Sequence, residues 1–168
     1  MIRVRAANAH VKRTFRPNYA WTQATPKSVF LDPAFDRSTS PKVYPGMVLM
    51  RTTGELVSLI NNVGVPYGFA ADYIGGDDFD PLLDVGVNAT AVWVLGADAE
   101  FEVLAPAFDD SVSWTDPGTG AELLIHAQTA GANRGKLVPA GTSGASTAPV
   151  ARLLKVNSAS KITIGGLR

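Results

Sequence analysis

The chain predicts an all-β protein, a small β-barrel or sandwich of about nine short strands behind a long extended N-terminal arm. Three observations lead there. With 16 Gly and 11 Pro among 168 residues, turns are frequent, which favours short strands over long helices. Apolar residues fall into short runs bounded by Gly, Pro, Asn and Asp. Nowhere does the 3.6-residue period of an amphipathic helix persist beyond a turn or so. The length suits a single domain with a real core, divided here into an arm, 1–43, and a β-domain, 44–168.

Residues 1–16 carry Arg3, Arg5, Lys12, Arg13 and Arg16 and no acid. This fits a short strand or a segment ordered on binding. From 17 to 45, Tyr19, Trp21, Phe30 and Phe35 alternate with Pro17, Pro26, Pro33 and Pro41. A disordered linker lacks such aromatics, and a helix or central strand rejects the prolines. An extended segment laid along a surface is expected, burying its aromatics against its own domain or another subunit.

The stretch 46–51 (GMVLMR) reads as a strand, Thr52-Thr53-Gly54 as a turn, and 55–60 (ELVSLI) as the antiparallel partner. Asn61-Asn62-Val63-Gly64 is a second turn, and 65–74 resumes as a strand bent at Gly68. An acidic loop follows, with room for one helical turn at 81–84. The run 89–95 (ATAVWVL) is β-branched and apolar on both faces, so it is a central strand or one buried against a second subunit. After a turn at 96–98, AEFEVLA sets Phe101 and Val103 against Glu100 and Glu102. A turn at 116–120 leads to AELLIHAQ, and a Gly/Ser/Thr loop separates two apolar runs within 136–158. The last strand alternates Ile162 and Ile164 with Lys161 and Thr163.

Zero net charge conceals segregation. Residues 1–51 hold nine Lys/Arg against two acids, 52–133 hold thirteen acids and no Lys or Arg, and 134–168 hold six bases and no acid. Basic flanks either neutralise the acidic middle within one fold, or the two signs face different neighbours in an assembly.

Reactive constellations are absent. Without cysteine there is neither a disulfide nor a thiolate metal site. His10 and His126 have no partner at metal-ligand spacing, and His126 reads as an ordinary strand residue. GTSGAS (141–146) breaks the nucleophile-elbow pattern at Ala145, so Ser143 belongs to a flexible loop tip. Asp77, Asp78, Asp80 and Asp84 match no calcium-loop spacing and read as a solvated or partner-facing loop. No phosphate cradle occurs, and the acidic centre opposes nucleic-acid binding by the basic arm. No run approaches the roughly 18 apolar residues of a membrane span. The N-terminus lacks a signal peptide's apolar core, so cytoplasmic synthesis is expected.

The segments YPGMVLMRTTGELVSL, PYGFAADYIGG and GVNATAVWVLGADAEFEVLAP resemble the small β-domains of tailed-phage head decoration, or cement, proteins. The stretch from 136 onward resembles their closing strands. The similarity covers roughly 44–105 and 135–167. It implies a structural, non-enzymatic protein without cofactor that binds the outer capsid surface and reinforces the shell. Its partners would be the major capsid protein and itself, as a homotrimer, with neither nucleic acid nor membrane involved. An arm adding a strand to the capsid protein is typical of the group; here Arg3, Arg5, Lys12, Arg13, Arg16, Tyr19 and Trp21 would make that contact. Val92, Trp93 and Val94, in the run apolar on both faces, are candidates for contact between copies. Two alternatives stand beside this reading. One is another self-assembling virion β-barrel, such as a tail-tube or head-fibre protein; the other is a carbohydrate- or ion-binding β-domain using the acidic loop 77–84.

Overall fold

The computed structural model describes residues 15–19, 24–35, 42–54, 56–74, 89–118 and 123–168. They form eleven strands: β1 (Phe15–Tyr19), β2 (Ala24–Leu31), β3 (Val48–Arg51), β4 (Leu56–Leu59), β5 (Pro66–Ala70), β6 (Ala89–Leu95), β7 (Glu100–Leu104), β8 (Leu123–Ala127), β9 (Leu137–Pro139), β10 (Ala151–Ser158) and β11 (Lys161–Gly165). Five of them close a barrel in the order β2-β4-β3-β5-β6, and six form a sheet in the order β1-β7-β11-β10-β8-β9. The all-β expectation holds. The helical turn expected at 81–84 lies outside the described residues.

In the barrel, β3 and β4 pair as an antiparallel hairpin about Gly54, whose φ of 71° suits the tight turn. The next turn is closed by the Asn61 side chain, whose Oδ1 accepts the Val63 amide at 3.1 Å. Between β3 and β5 the register slips from Leu49↔Gly68 to Met50↔Pro66. Tyr67 is the extra residue, so the bend expected at Gly68 is a β-bulge. A Cβ on Gly68 would lie 2.5 Å from the Trp93 carbonyl oxygen, so only glycine lets β5 come this close to β6. Strand β6 pairs with β2 on one side and β5 on the other, which makes it the central strand its composition predicted. Val92 is fully buried, and on the opposite face Trp93 meets Phe101 edge-on at 5.4 Å.

The six-stranded sheet follows its period-two pattern. Phe101 and Val103 of β7 are buried with Ile162 and Ile164 of β11, while Glu100 and Glu102 are half-exposed. Thr163, on the polar side of that alternation, is nonetheless 6% exposed, and its hydroxyl donates to Asn157 Oδ1 at 2.8 Å.

One hydrophobic cluster runs through barrel and sheet. At the junction the Phe15 ring stacks on Phe69 of the barrel at 5.3 Å and on Phe101 of the sheet at 4.3 Å. The Val48 amide donates to the Gly135 carbonyl at 2.8 Å, and the Arg134 guanidinium reaches the Leu59 and Ile60 carbonyls.

The two strands beyond the nine expected are β1 and β2, and both come from the segment read as an arm. Their prolines are tolerated because of where they fall. Pro17 lies in β1, which ends the sheet among the described residues. Pro26 pairs with Trp93 of β6, whereas β4 joins β2 only at Phe30 and Leu31. Around Pro26, β2 thus has a ladder neighbour on one side alone, and the missing N–H costs nothing. Phe30 is 59% exposed, so of the two surfaces expected to bury it the chain's own domain is not the one.

Candidate interaction surface

Of the seven arm residues singled out in the sequence, Arg16 and Tyr19 fall in β1. Arg3, Arg5, Lys12, Arg13 and Trp21 lie outside the described residues. Arg16 is exposed and sits opposite Glu102 of β7. Glu102 in turn pairs with Lys161 of β11 at 3.1 Å. The Glu102 carboxylate thus has Arg16 directly across on β1, while Lys161 reaches it diagonally from β11, where Thr163 is the residue in register. The Tyr19 backbone pairs with Glu100 past a bulge that follows Pro17.

The three β6 candidates divide. Val92 keeps no exposed surface, being closed inside the chain's own core, whereas Trp93 and Val94 are half-buried. The most exposed apolar side chains lie elsewhere: Val63 and Val65, at 83% and 74% exposure, at the β4–β5 turn, and Phe30 on β2. Near that turn the Arg51 guanidinium lies 4.3 Å above the Tyr67 ring and donates to its hydroxyl at 3.1 Å. An apolar cleft of about 330 Å³ lies between Trp114 and the sheet, lined also by Leu124, Pro139 and Leu153.

Polar groups that could have suggested chemistry are occupied structurally. Buried Asp109 accepts the Ser111 amide and hydroxyl on one oxygen and the Asn133 amide on the other. Its backbone oxygen accepts the Trp114 indole at 2.8 Å. Asp116 takes the Gly118 and Val156 amides, both at 2.9 Å. Chiefly the Gly118 bond, then that of Val156, holds its pKa below the ordinary 3.8. His126 meets the Ser146 carbonyl at 2.6 Å through Nδ1, which makes that nitrogen the protonated one and leaves the residue a satisfied strand position, as expected. The loop bearing Ser143 is tied down rather than loose: Gln128 donates to the Ser143 carbonyl, and the amide and hydroxyl of Thr129 both donate to that of Gly144.

Among the described residues no three His, Asp or Glu side chains gather to hold a metal ion, and no helix is long and apolar enough to cross a membrane. The acidic loop 77–84 lies outside the described residues. What the body offers is contact area and a packed, hydrogen-bonded junction between barrel and sheet. The sequence reading missed two residues that make this junction, Phe15 and Arg134. Phe15 is an aromatic amid a basic run, which is the one local sign that the run does more than carry charge.

The family model described as phage cement protein matches residues 1–168, the whole chain. No curated protein and no solved structure matches it.

Proposed function

The chain belongs to the phage cement protein family, a family of structural virion components that associate with the capsid, and from that premise we propose that it binds the outer surface of the shell as a homotrimer and reinforces it there. The observation that carries this reading is the family match over the full length. The body supports it with buried polar groups committed to structure and exposed apolar and aromatic side chains left for contact. The basic residues Arg3, Arg5, Lys12, Arg13 and Arg16, with Tyr19 and Trp21, make the capsid contact. Strand addition to the major capsid protein belongs to residues 1–14, because Phe15–Tyr19 and Ala24–Leu31 already serve the chain's own sheets. Trp93 and Val94 supply apolar surface between copies. Repeated copies on a lattice gain avidity, so modest contacts suffice.

The test mixes the purified full-length chain with capsids that lack it. Co-sedimentation, density on the outer face in electron micrographs, and a shell that withstands more heat are expected. Capsids that neither retain the chain nor gain resistance would overturn the reading. Light scattering of the free chain and images of the decorated shell decide the trimer.

A further inference from the structure

We propose that copies of this chain join tip to cleft: the apolar β4–β5 turn of one copy seats in the apolar cleft beside Trp114 of the next.

The two surfaces stand out by their exposure. Among the described residues the exposed large apolar side chains are Phe30, Val63, Val65, Leu123, Leu124 and Leu167. Four of these gather at two places. Val63 and Val65 project from the β4–β5 turn, whereas Leu123 and Leu124 begin β8 and line the cleft. One patch is a knob. The other is a hollow of about 330 Å³, within the size range that takes up small apolar groups. Exposed apolar patches of this kind mark sites of association, and here a single chain carries both halves of a match.

The knob is held ready. Asn61 Oδ1 accepts the Val63 amide, and the Asn61 carbonyl accepts that of Gly64 at 3.3 Å. Just before them, Arg134 donates to the Leu59 and Ile60 carbonyls. A Cβ on Gly64 would collide with the Met50 sulfur, so the turn lies tight against β3. A turn fixed in this way loses little freedom on docking. Charge agrees with the fit. Arg51 is exposed over Tyr67 at the foot of the turn. The segment 113–115 that walls the cleft is flanked by Asp110 and Asp116, both exposed, with Lys155 attracting the latter. A cation beside the knob thus approaches carboxylates beside the hollow.

A chain does not fill its own cleft. Ile125 pairs with Pro139 where the cleft lies, and Ala127 with Leu137 further along the hairpin. Beyond them comes Arg134, the residue that meets the foot of the turn. Turn and cleft therefore lie toward opposite ends of the β8–β9 hairpin, and the occupant comes from another molecule. Contact between two different patches passes head to tail round a ring, which is the kind a homotrimer needs. The inference rests on the homotrimer proposed above and names a contact that builds it.

Cross-linking tests it, because the chain has no cysteine of its own to give background. Purified Val65→Cys/Leu124→Cys, treated with a short bis-maleimide, should run as joined dimers and trimers in denaturing gels, free or on decorated capsids. Either single variant should stay unjoined. Dimers from a single variant would mean that like patches meet, and would overturn the proposal. A double variant left unjoined while light scattering shows the trimer would overturn it too, and the trimer would stand. Ladders running past the trimer would keep the tip in the cleft and remove the homotrimer. A chain monomeric both free and on the shell would remove both. Val63→Asp, with the circular dichroism of the parent, should weaken self-association about tenfold or more. If it instead frees the chain from capsids and leaves the free trimer intact, the turn meets the shell and the proposal falls.

Discussion

Arg134 donates from Nε to the Ile60 carbonyl, and from Nη2 to that of Leu59, each at 2.6 Å. Arg134 lies between β8 and β9 of the six-stranded sheet, and Leu59 closes β4 in the barrel with Ile60 next to it, so one guanidinium fork spans the junction. Beside it, Gly135 accepts the Val48 amide. Burial pulls the Arg134 pKa below its ordinary value, yet a guanidinium remains charged at any pH the fold survives.

Replacing Arg134 should therefore loosen the junction. Arg134→Ala leaves two part-buried carbonyls without their donor and should cost about 1–3 kcal/mol. At roughly 2–4 °C per kcal/mol for a chain of this size, the loss is readable as a lower melting temperature. Arg134→Lys keeps the charge but not the planar fork, and its melting temperature should fall between the two. An Ala variant that melts with the parent would show that the fork contributes nothing net.

Gly68→Ala should be among the more damaging single changes. The added methyl would lie 2.5 Å from both the Trp93 oxygen and Val92 Cγ1, and a backbone oxygen in a closed barrel has little room to retreat. A loss of about 1–3 kcal/mol is expected from such overpacking, measured by denaturant titration.

The Asp116 carboxylate should make part of the stability depend on acidity. Its folded pKa lies below 3.8, first through the Gly118 amide and then through that of Val156, with Lys155 adding a smaller attraction. The sign follows directly. A depressed carboxylate stabilises the fold fully above its unfolded value and loses that contribution as pH falls through the folded value. Carboxyl chemical shifts followed by NMR should titrate below 3.8 for this residue. Melting curves of Asp116→Ala and parent should differ near neutral pH and converge in strong acid. Titration at or above 3.8 would remove the amide contacts as its cause.

Lys161→Ala should do almost nothing. The Lys161–Glu102 pair is about one-third exposed on both sides, and pairs of that kind contribute about 0–1 kcal/mol, less with salt. A drop in melting temperature beyond a few degrees would mean that the lysine stem covers core surface that its charge conceals.

Several elements could be read directly from the chain because their signals are local. Strand β6 has the bounds predicted for it, since its β-branched and apolar residues run between the acidic stretch and the turn at 96–98. The buried phenylalanine and valine of β7 follow from a two-residue period. Strands β1 and β2 were hidden by Pro17 and Pro26, because the rule against proline in a strand assumes a ladder on both sides. Whether a strand has one neighbour or two depends on how the sheet closes, which the residues flanking each proline do not encode. The basic run proposed as the capsid contact was legible as charge, but the seat of Phe15 was not legible as geometry. Nothing near Phe15 in the sequence announces Phe69 and Phe101 as the rings it meets.

The barrel is closed, and the outer edge of β9 is occupied: Leu137 donates to the Ala107 carbonyl and accepts the Asp109 amide. Among the described residues β1 ends the six-stranded sheet on the other side, and it carries Pro17 and a bulge. Open strand edges recruit further strands, so molecules crowded side by side with such edges would stack outward indefinitely. A ladder broken by a proline and a bulge offers an incoming strand few donors and no even register, so edge-to-edge growth from β1 is disfavoured by its own sequence.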